Sequence, residues 1–221
     1  MKLIETAEYR GIASSRAHDM GQQSHNISVP MLSIVIPTHE SERVVVRTLS
    51  CLVPGVVAGV VREVILADSG SGDGTEQVAD IAGCRFMTVA GSLGTRLRTA
   101  AGQARGPWLL FLRPGSVLES AWTAEVERFW MLASDEGGAP KAAVFQPEAY
   151  RGQSLGAQVL NLLRQAAGGG FRPEQGLLLT KTAYDRLGGH DAKSAAPEAQ
   201  LIRKIGRKHI AVLHAGISGS Q

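Results

Sequence analysis

Short apolar runs alternate along this chain with stretches whose apolar positions recur at helical spacing. The first run, residues 32–36 (Leu-Ser-Ile-Val-Ile), is closed by Pro37. A run that is apolar almost throughout fits a parallel strand buried on both faces. Ser41 is placed to cap a helix reaching about Val53. Residues 63–67 predict a second strand, followed by the turn-rich Asp68-Ser-Gly-Ser-Gly-Asp-Gly74 and a helix over 75–82. A third short strand over 85–89, a helix over 94–105 and a fourth strand over 108–112 come next, the last stopped by Arg113-Pro-Gly115. Residues 121–134 predict a helix with Trp122, Val126, Phe129 and either Leu132 or Ala133 on one face. Repeated βα units predict an α/β fold: a mostly parallel, doubly wound sheet flanked by helices, with its ligand site at the carboxyl ends of the strands.

The second half is less regular. Strands are predicted over 142–146, 176–180 and 210–213, and short helices over 181–187 and 198–205. An amphipathic helix over 153–167, ended by Gly168-Gly-Gly170, completes the pattern. Residues 1–30 are polar and aperiodic and read as a flexible extension, with Met31 as the natural start. The expected organisation is therefore one domain over 31–221, with a nucleotide-binding half at 31–116 and an acceptor-side half at 117–221.

Composition narrows the class. The 44% hydrophobic and 19% charged fractions are those of an ordinary globular protein, and 221 residues suffice for a sizeable core. Twenty-six glycines with only 5% aromatics suit a tightly turned α/β sheet better than a stacking platform. A net charge of +3 is too small to point to nucleic acid, although basic residues cluster at 96–113 and 203–208, compatible with a phosphate-bearing ligand. Cys51 and Cys84 have no metal-binding spacing and read as reduced core thiols, which predicts the cytoplasm. No apolar run reaches the length of roughly 18–20 residues that spans a bilayer.

Four segments, in order, carry a family likeness. They are Ser33-Ile-Val-Ile-Pro-Thr-His-Glu40, Glu63-Val-Ile-Leu-Ala-Asp-Ser-Gly-Ser-Gly-Asp-Gly-Thr75, Gly102-Gln-Ala-Arg-Gly-Pro-Trp-Leu-Leu-Phe-Leu112, and Glu174-Gln-Gly176 with Tyr184-Asp-Arg-Leu-Gly-Gly189. Together they resemble the family 2 glycosyltransferases of GT-A fold. His39 stands where that family usually has Asn, and Ser69 where a second acid is common. The resemblance implies a nucleoside-diphosphate sugar as donor, contacted by Pro37, Thr38, Glu40, Asp68 and Ser69 at the first two strand ends. Asp73 and Thr75 are expected to cap the following helix.

Two departures are chemically specific. Family members end the fourth strand with carboxylates that hold Mg²⁺ or Mn²⁺ against the diphosphate. This chain reads Leu112-Arg-Pro-Gly-Ser116, with no carboxylate, so no metal cofactor is expected. Arg113, helped by Arg96 or Arg98, either grips the phosphates in the metal's place or is a solvated turn residue. The resemblance also implies an acidic pair opening a late helix, whose Asp is the general base. Here Glu198 is kept but Ala199 and Gln200 follow, so Glu198 is either the base or a stabiliser of the helix start, with Glu174 the second candidate base. His190, His209 and His214 are candidate edges of the site without metal-cluster spacing.

The expected function is sugar transfer from a nucleoside-diphosphate donor to an envelope or lipid-linked acceptor. The basic run Arg203, Lys204, Arg207, Lys208 offers either a solvated helix end or peripheral contact with the inner face of an anionic membrane. The alternatives are a catalytically inactive nucleotide-sugar-binding or partner-binding module of the same fold and a nucleotidyltransferase. The latter wants its Gly-rich, Arg-containing loop after strand one, whereas Gly91-Ser-Leu-Gly-Thr-Arg96 follows strand three. A dinucleotide-dependent oxidoreductase is disfavoured, because Pro37-Thr-His-Glu40 replaces the glycine-rich turn.

Overall fold

The computed structural model describes residues 31–133, 142–147 and 171–219. The 1–30 extension and the 153–167 helix with its glycine stop lie outside the described residues. Eight strands are described: β1 (Leu32–Thr38), β2 (Val61–Asp68), β3 (Arg85–Thr88), β4 (Trp108–Phe111), β5 (Val117–Leu118), β6 (Ala142–Pro147), β7 (Leu177–Thr180) and β8 (Ile210–Ser218). They form one sheet in the order β3-β2-β1-β4-β7-β6-β8-β5. The β3-β2-β1-β4 half is parallel throughout. Beyond it the sheet is mixed: β7 runs antiparallel to both β4 and β6, β8 parallel to β6, and β5 antiparallel to β8.

Strand alternation divides the core in two. Leu32, Ile34 and Ile36 of β1 pack with α1 (Glu42–Val57), α2 (Thr75–Ile81) and α4 (Trp122–Ala133) through Val45, Leu52, Ala79, Trp122 and Phe129. On the opposite face Val35, Ile65, Leu109 and Phe111 meet α3 (Leu93–Gln103), α5 (Lys181–Arg186) and α6 (Pro197–Ile205) through Leu97, Ala100, Tyr184, Leu201 and Ile205. Helices on both faces make the sheet doubly wound. At Gly55 in α1 any side chain would overlap the Trp122 ring, so this glycine lets α4 close against the sheet.

Three local expectations need correction. β1 does not stop at Pro37 but continues to Thr38. Thr38 turns its carbonyl toward β2, accepting from Ser69 N–H, so by alternation Pro37 faces the β4 side. There β4 pairs with β1 only as far as Val35 and Phe111, and the proline's missing N–H costs no ladder bond. The first helix runs past Val53 to Val57 and contains Pro54. Ser41 precedes it without capping through its side chain, because its hydroxyl donates to His39 O. Instead Asp73, from the loop after β2, accepts from Glu42 N–H at the helix start. Side-chain caps do start α3 and α5, where Ser92 accepts from Thr95 N–H and Thr180 from Ala183 N–H.

Candidate functional site

The carboxyl ends of β2, β1 and β4 lie side by side. Thr38 pairs with Asp68 in register, and Leu112 N–H donates to Val35 O at 3.1 Å. Arg113 therefore emerges next to the end of β1. Its turn is fastened from behind: Ser116 N–H closes on Arg113 O, and Gly115 N–H donates to Thr48 Oγ1 of α1 at 2.9 Å. Gly115 has φ 87°, a conformation that suits glycine at this reversal.

Asp68 is fully buried, and its carboxylate organises the loop that follows it. It accepts from Thr38 Oγ1 at 2.8 Å, Ser71 Oγ at 2.6 Å, Gly70 N–H at 2.7 Å and Ser71 N–H at 2.6 Å. Burial pushes this carboxyl up, but the bonds from Ser71, Thr38 and Gly70 outweigh it and hold it below the usual aspartate value. Ser71 was not singled out in the sequence; the signal for it is the Asp-Ser-Gly-Ser pattern, in which an aspartate accepts from the residues just after it.

Glu40 ties this loop to the one after β1. Its N–H donates to Ser71 Oγ at 2.8 Å, and its Oε1 accepts from Gly72 N–H at 2.6 Å. It does so from φ 47°, a left-handed conformation rare outside glycine. Glu42 accepts in the same way from Gly74 N–H. Asp73 accepts from both the N–H and the hydroxyl of Thr75 at the start of α2. The two loops form one hydrogen-bonded rim.

Arg96 reaches this rim from α3. Its Nη1 donates to Thr38 O at 2.7 Å and lies 3.5 Å from Ala67 O, while Nε is buried with no protein partner. Desolvation lowers its pKa and the nearby Asp68 carboxylate opposes that; an arginine stays charged under both. Arg98 is not brought to the strand ends. It is exposed on α3, and its charge is felt by Tyr184 instead.

Arg113 gathers both predicted acids. Its Nη1 donates to Glu174 Oε1 at 2.6 Å, Nη2 to Glu198 Oε2 at 2.6 Å, and Nε to Glu198 Oε1 at 3.4 Å. The Glu198 hydrogen bond is the main cause that raises the Arg113 pKa, with burial opposing it and the charges of Glu198 and Glu174 assisting. The environments of the acids differ: the Glu198 side chain is 11% exposed and that of Glu174 55%. Glu198 sits in the first turn of α6 directly after Pro197. Glu174 sits in the short 3-10 turn Pro173–Gln175, anchored where Gln175 Nε2 donates to Phe145 O at 3.0 Å.

His190 is fully buried rather than lining an edge. Its backbone N–H donates to Tyr184 Oη at 3.1 Å, and Nδ1 lies 3.0 Å from the same oxygen. Burial, with Lys204 assisting, pushes the His190 pKa down to about 3. His209 and His214 are exposed. Among the described residues no group of three or more His, Cys, Asp or Glu could hold a metal ion, and no helix is long and apolar enough to cross a membrane.

By sequence, no protein-family model matches this chain and no curated protein matches it. Solved structures do match. Glucosyl-3-phosphoglycerate synthase from Mycobacterium tuberculosis, in complex with phosphoglyceric acid, superposes with a TM-score of 0.63 at 19% identity, covering 88% of this chain and 73% of that one. The same enzyme with Mn²⁺, uridine diphosphate and phosphoglyceric acid gives 0.62 at 20% identity, over 88% and 72%. A structure described as a mycobacterial protein gives 0.61 at 20% identity, over 88% and 68%. At such identities the likeness establishes the fold: an eight-stranded mixed sheet between helices, shared with GT-A nucleotide-sugar transferases.

Proposed function

We propose that this chain binds a nucleoside-diphosphate sugar across the ends of β1, β2 and β4 and transfers the sugar to an acceptor hydroxyl. The observation that carries this reading is the placement of two guanidinium groups, Arg96 and Arg113, beside the shared rim of β1 and β2 in a fold whose solved relatives include a complex with uridine diphosphate and Mn²⁺. Arg113 serves where relatives use a divalent cation, neutralising charge on the departing diphosphate.

The donor set supports a metal-free site. The β4 end offers Arg113, Pro114, Gly115 and Ser116, and the two carboxylates near it are both directed at the guanidinium. Those residues do not fit an oxygen-ligated Mg²⁺ or Mn²⁺. In the transfer, the acceptor oxygen bonds to the anomeric carbon, the diphosphate leaves with the electron pair, and the acceptor proton passes to a carboxylate. Glu174, exposed and held by one hydrogen bond, suits that role better than Glu198, which holds Arg113 on two nitrogens. Pro37, Thr38, Glu40, Asp68 and Ser69 shape the nucleoside side, with Asp68 acting through the loop it orders. An envelope or lipid-linked acceptor fits the exposed cations Arg203, Lys204, Arg207 and Lys208, which offer an anionic membrane a peripheral contact.

One observation favours a second reading. Both candidate bases are paired with Arg113, which suits a module that binds a nucleotide sugar without turnover. Incubation with UDP- and GDP-sugars, with and without Mn²⁺, separates the two: released diphosphate supports transfer, and binding without release supports the module.

A further inference from the structure

The Arg113 cluster holds one positive and two negative side chains, so it presents a net negative charge to any phosphate that approaches. Three of the five guanidinium N–H groups are already engaged by carboxylates. A diphosphate cannot join this cluster without adding like charge, unless one carboxylate leaves. The two are not equally free to do so. Glu198 is fixed by Pro197 and the first turn of α6, is mostly buried, and meets the side edge of the guanidinium through Nε and Nη2. Glu174 meets Nη1 alone, is half-exposed, and can turn into water at little desolvation cost.

We propose that Glu174 is a displaceable carboxylate: in the free protein it closes Arg113, and an incoming diphosphate takes its place while Glu198 keeps the guanidinium aimed. This rests on the reading that Arg113 receives the diphosphate. It makes Glu174 an internal competitor that sets the site's affinity and screens out weakly charged anions. An exchange of one anion for another at a fixed cation also leaves the diphosphate's affinity dependent on ionic strength.

The test uses inorganic pyrophosphate as the probe, by isothermal titration calorimetry on the full chain. Glu174→Gln removes the competing charge and keeps the side-chain shape, and it is expected to tighten pyrophosphate binding by about fivefold. Glu198→Gln is expected to weaken it, since the guanidinium loses its support. Arg113→Gln, with Arg113→Lys as a second variant should the first fold poorly, is expected to weaken binding and to abolish the benefit of Glu174→Gln when the two are combined. If Arg113→Gln weakens binding but Glu174→Gln leaves it unchanged or weaker, the displacement is overturned while the Arg113 reading stands. If neither Arg113 variant alters pyrophosphate binding, the reading of the site itself falls.

Discussion

Arg113 and Glu198 are joined at two nitrogens, Nη2 to Oε2 at 2.6 Å and Nε to Oε1 at 3.4 Å, across 85 residues of sequence. The pair ties the end of β4 to the start of α6. It takes a guanidinium from the parallel half of the sheet and fixes it with a carboxylate from the mixed half, so the direction in which Arg113 points is set by tertiary structure and not by its own turn.

Asp68 gives the rim its rigidity, and its loss is expected to be costly. Asp68→Ala leaves the Thr38 hydroxyl and the Gly70 and Ser71 N–H groups without their acceptor, which predicts a loss of about 3 kcal/mol in urea unfolding. Because the folded carboxyl is held below its unfolded value, its contribution is present above about pH 4 and is lost as pH falls through the folded pKa. Asp68→Asn is expected to flatten that part of the stability profile. An unchanged profile would show that the four hydrogen bonds do not favour the charged form.

His190 predicts a second pH effect at higher pH. Its folded pKa of about 3 lies well below that of a free histidine, near 6.5, so in that window the unfolded chain binds a proton that the folded chain does not. Stability is therefore expected to fall as pH drops from about 6.5 toward 3, by about 2.5 kcal/mol between pH 7 and pH 4.5. Replacing His190 with Phe keeps an aromatic ring beside Phe111 and Tyr184 and is expected to remove this dependence. Urea unfolding of both proteins at pH 7 and pH 4.5 checks it, and an equal slope in the two would place the titrating group elsewhere.

Much of the fold was legible from short-range pattern. β1, β2 and β4 are near-continuous apolar runs, and their ends are marked by Thr38, Asp68 and Arg113, the positions where the rim forms. What pattern could not show is pairing between distant segments. β7 is inserted antiparallel between β4 and β6, which turns a parallel sheet into a mixed one, and β5 is only two residues long and exists because β8 extends to Ser218 to meet it. Ser41 has the composition of a cap, yet the cap is supplied by Asp73 from another loop. The site followed the same rule. Arg113, Glu174 and Glu198 could each be named from residue chemistry and family likeness, but no spacing along the chain announces that the cation and both acids make one cluster. Arg98 follows Arg96 by two positions along a helix, which turns its side chain to a different face, and its charge is felt by Tyr184 instead.

Arg113 is proposed to grip the diphosphate without a metal ion, in a fold whose solved relatives include a complex with uridine diphosphate and Mn²⁺. The most direct test is the affinity for UDP, by titration calorimetry, in EDTA and in Mn²⁺, for the native chain and for Arg113→Gln. The native chain is expected to bind UDP equally well in both buffers, and Arg113→Gln to weaken binding by about tenfold or more. Binding that requires Mn²⁺, or an Arg113→Gln protein that binds UDP as tightly as the native chain, would contradict this role for Arg113.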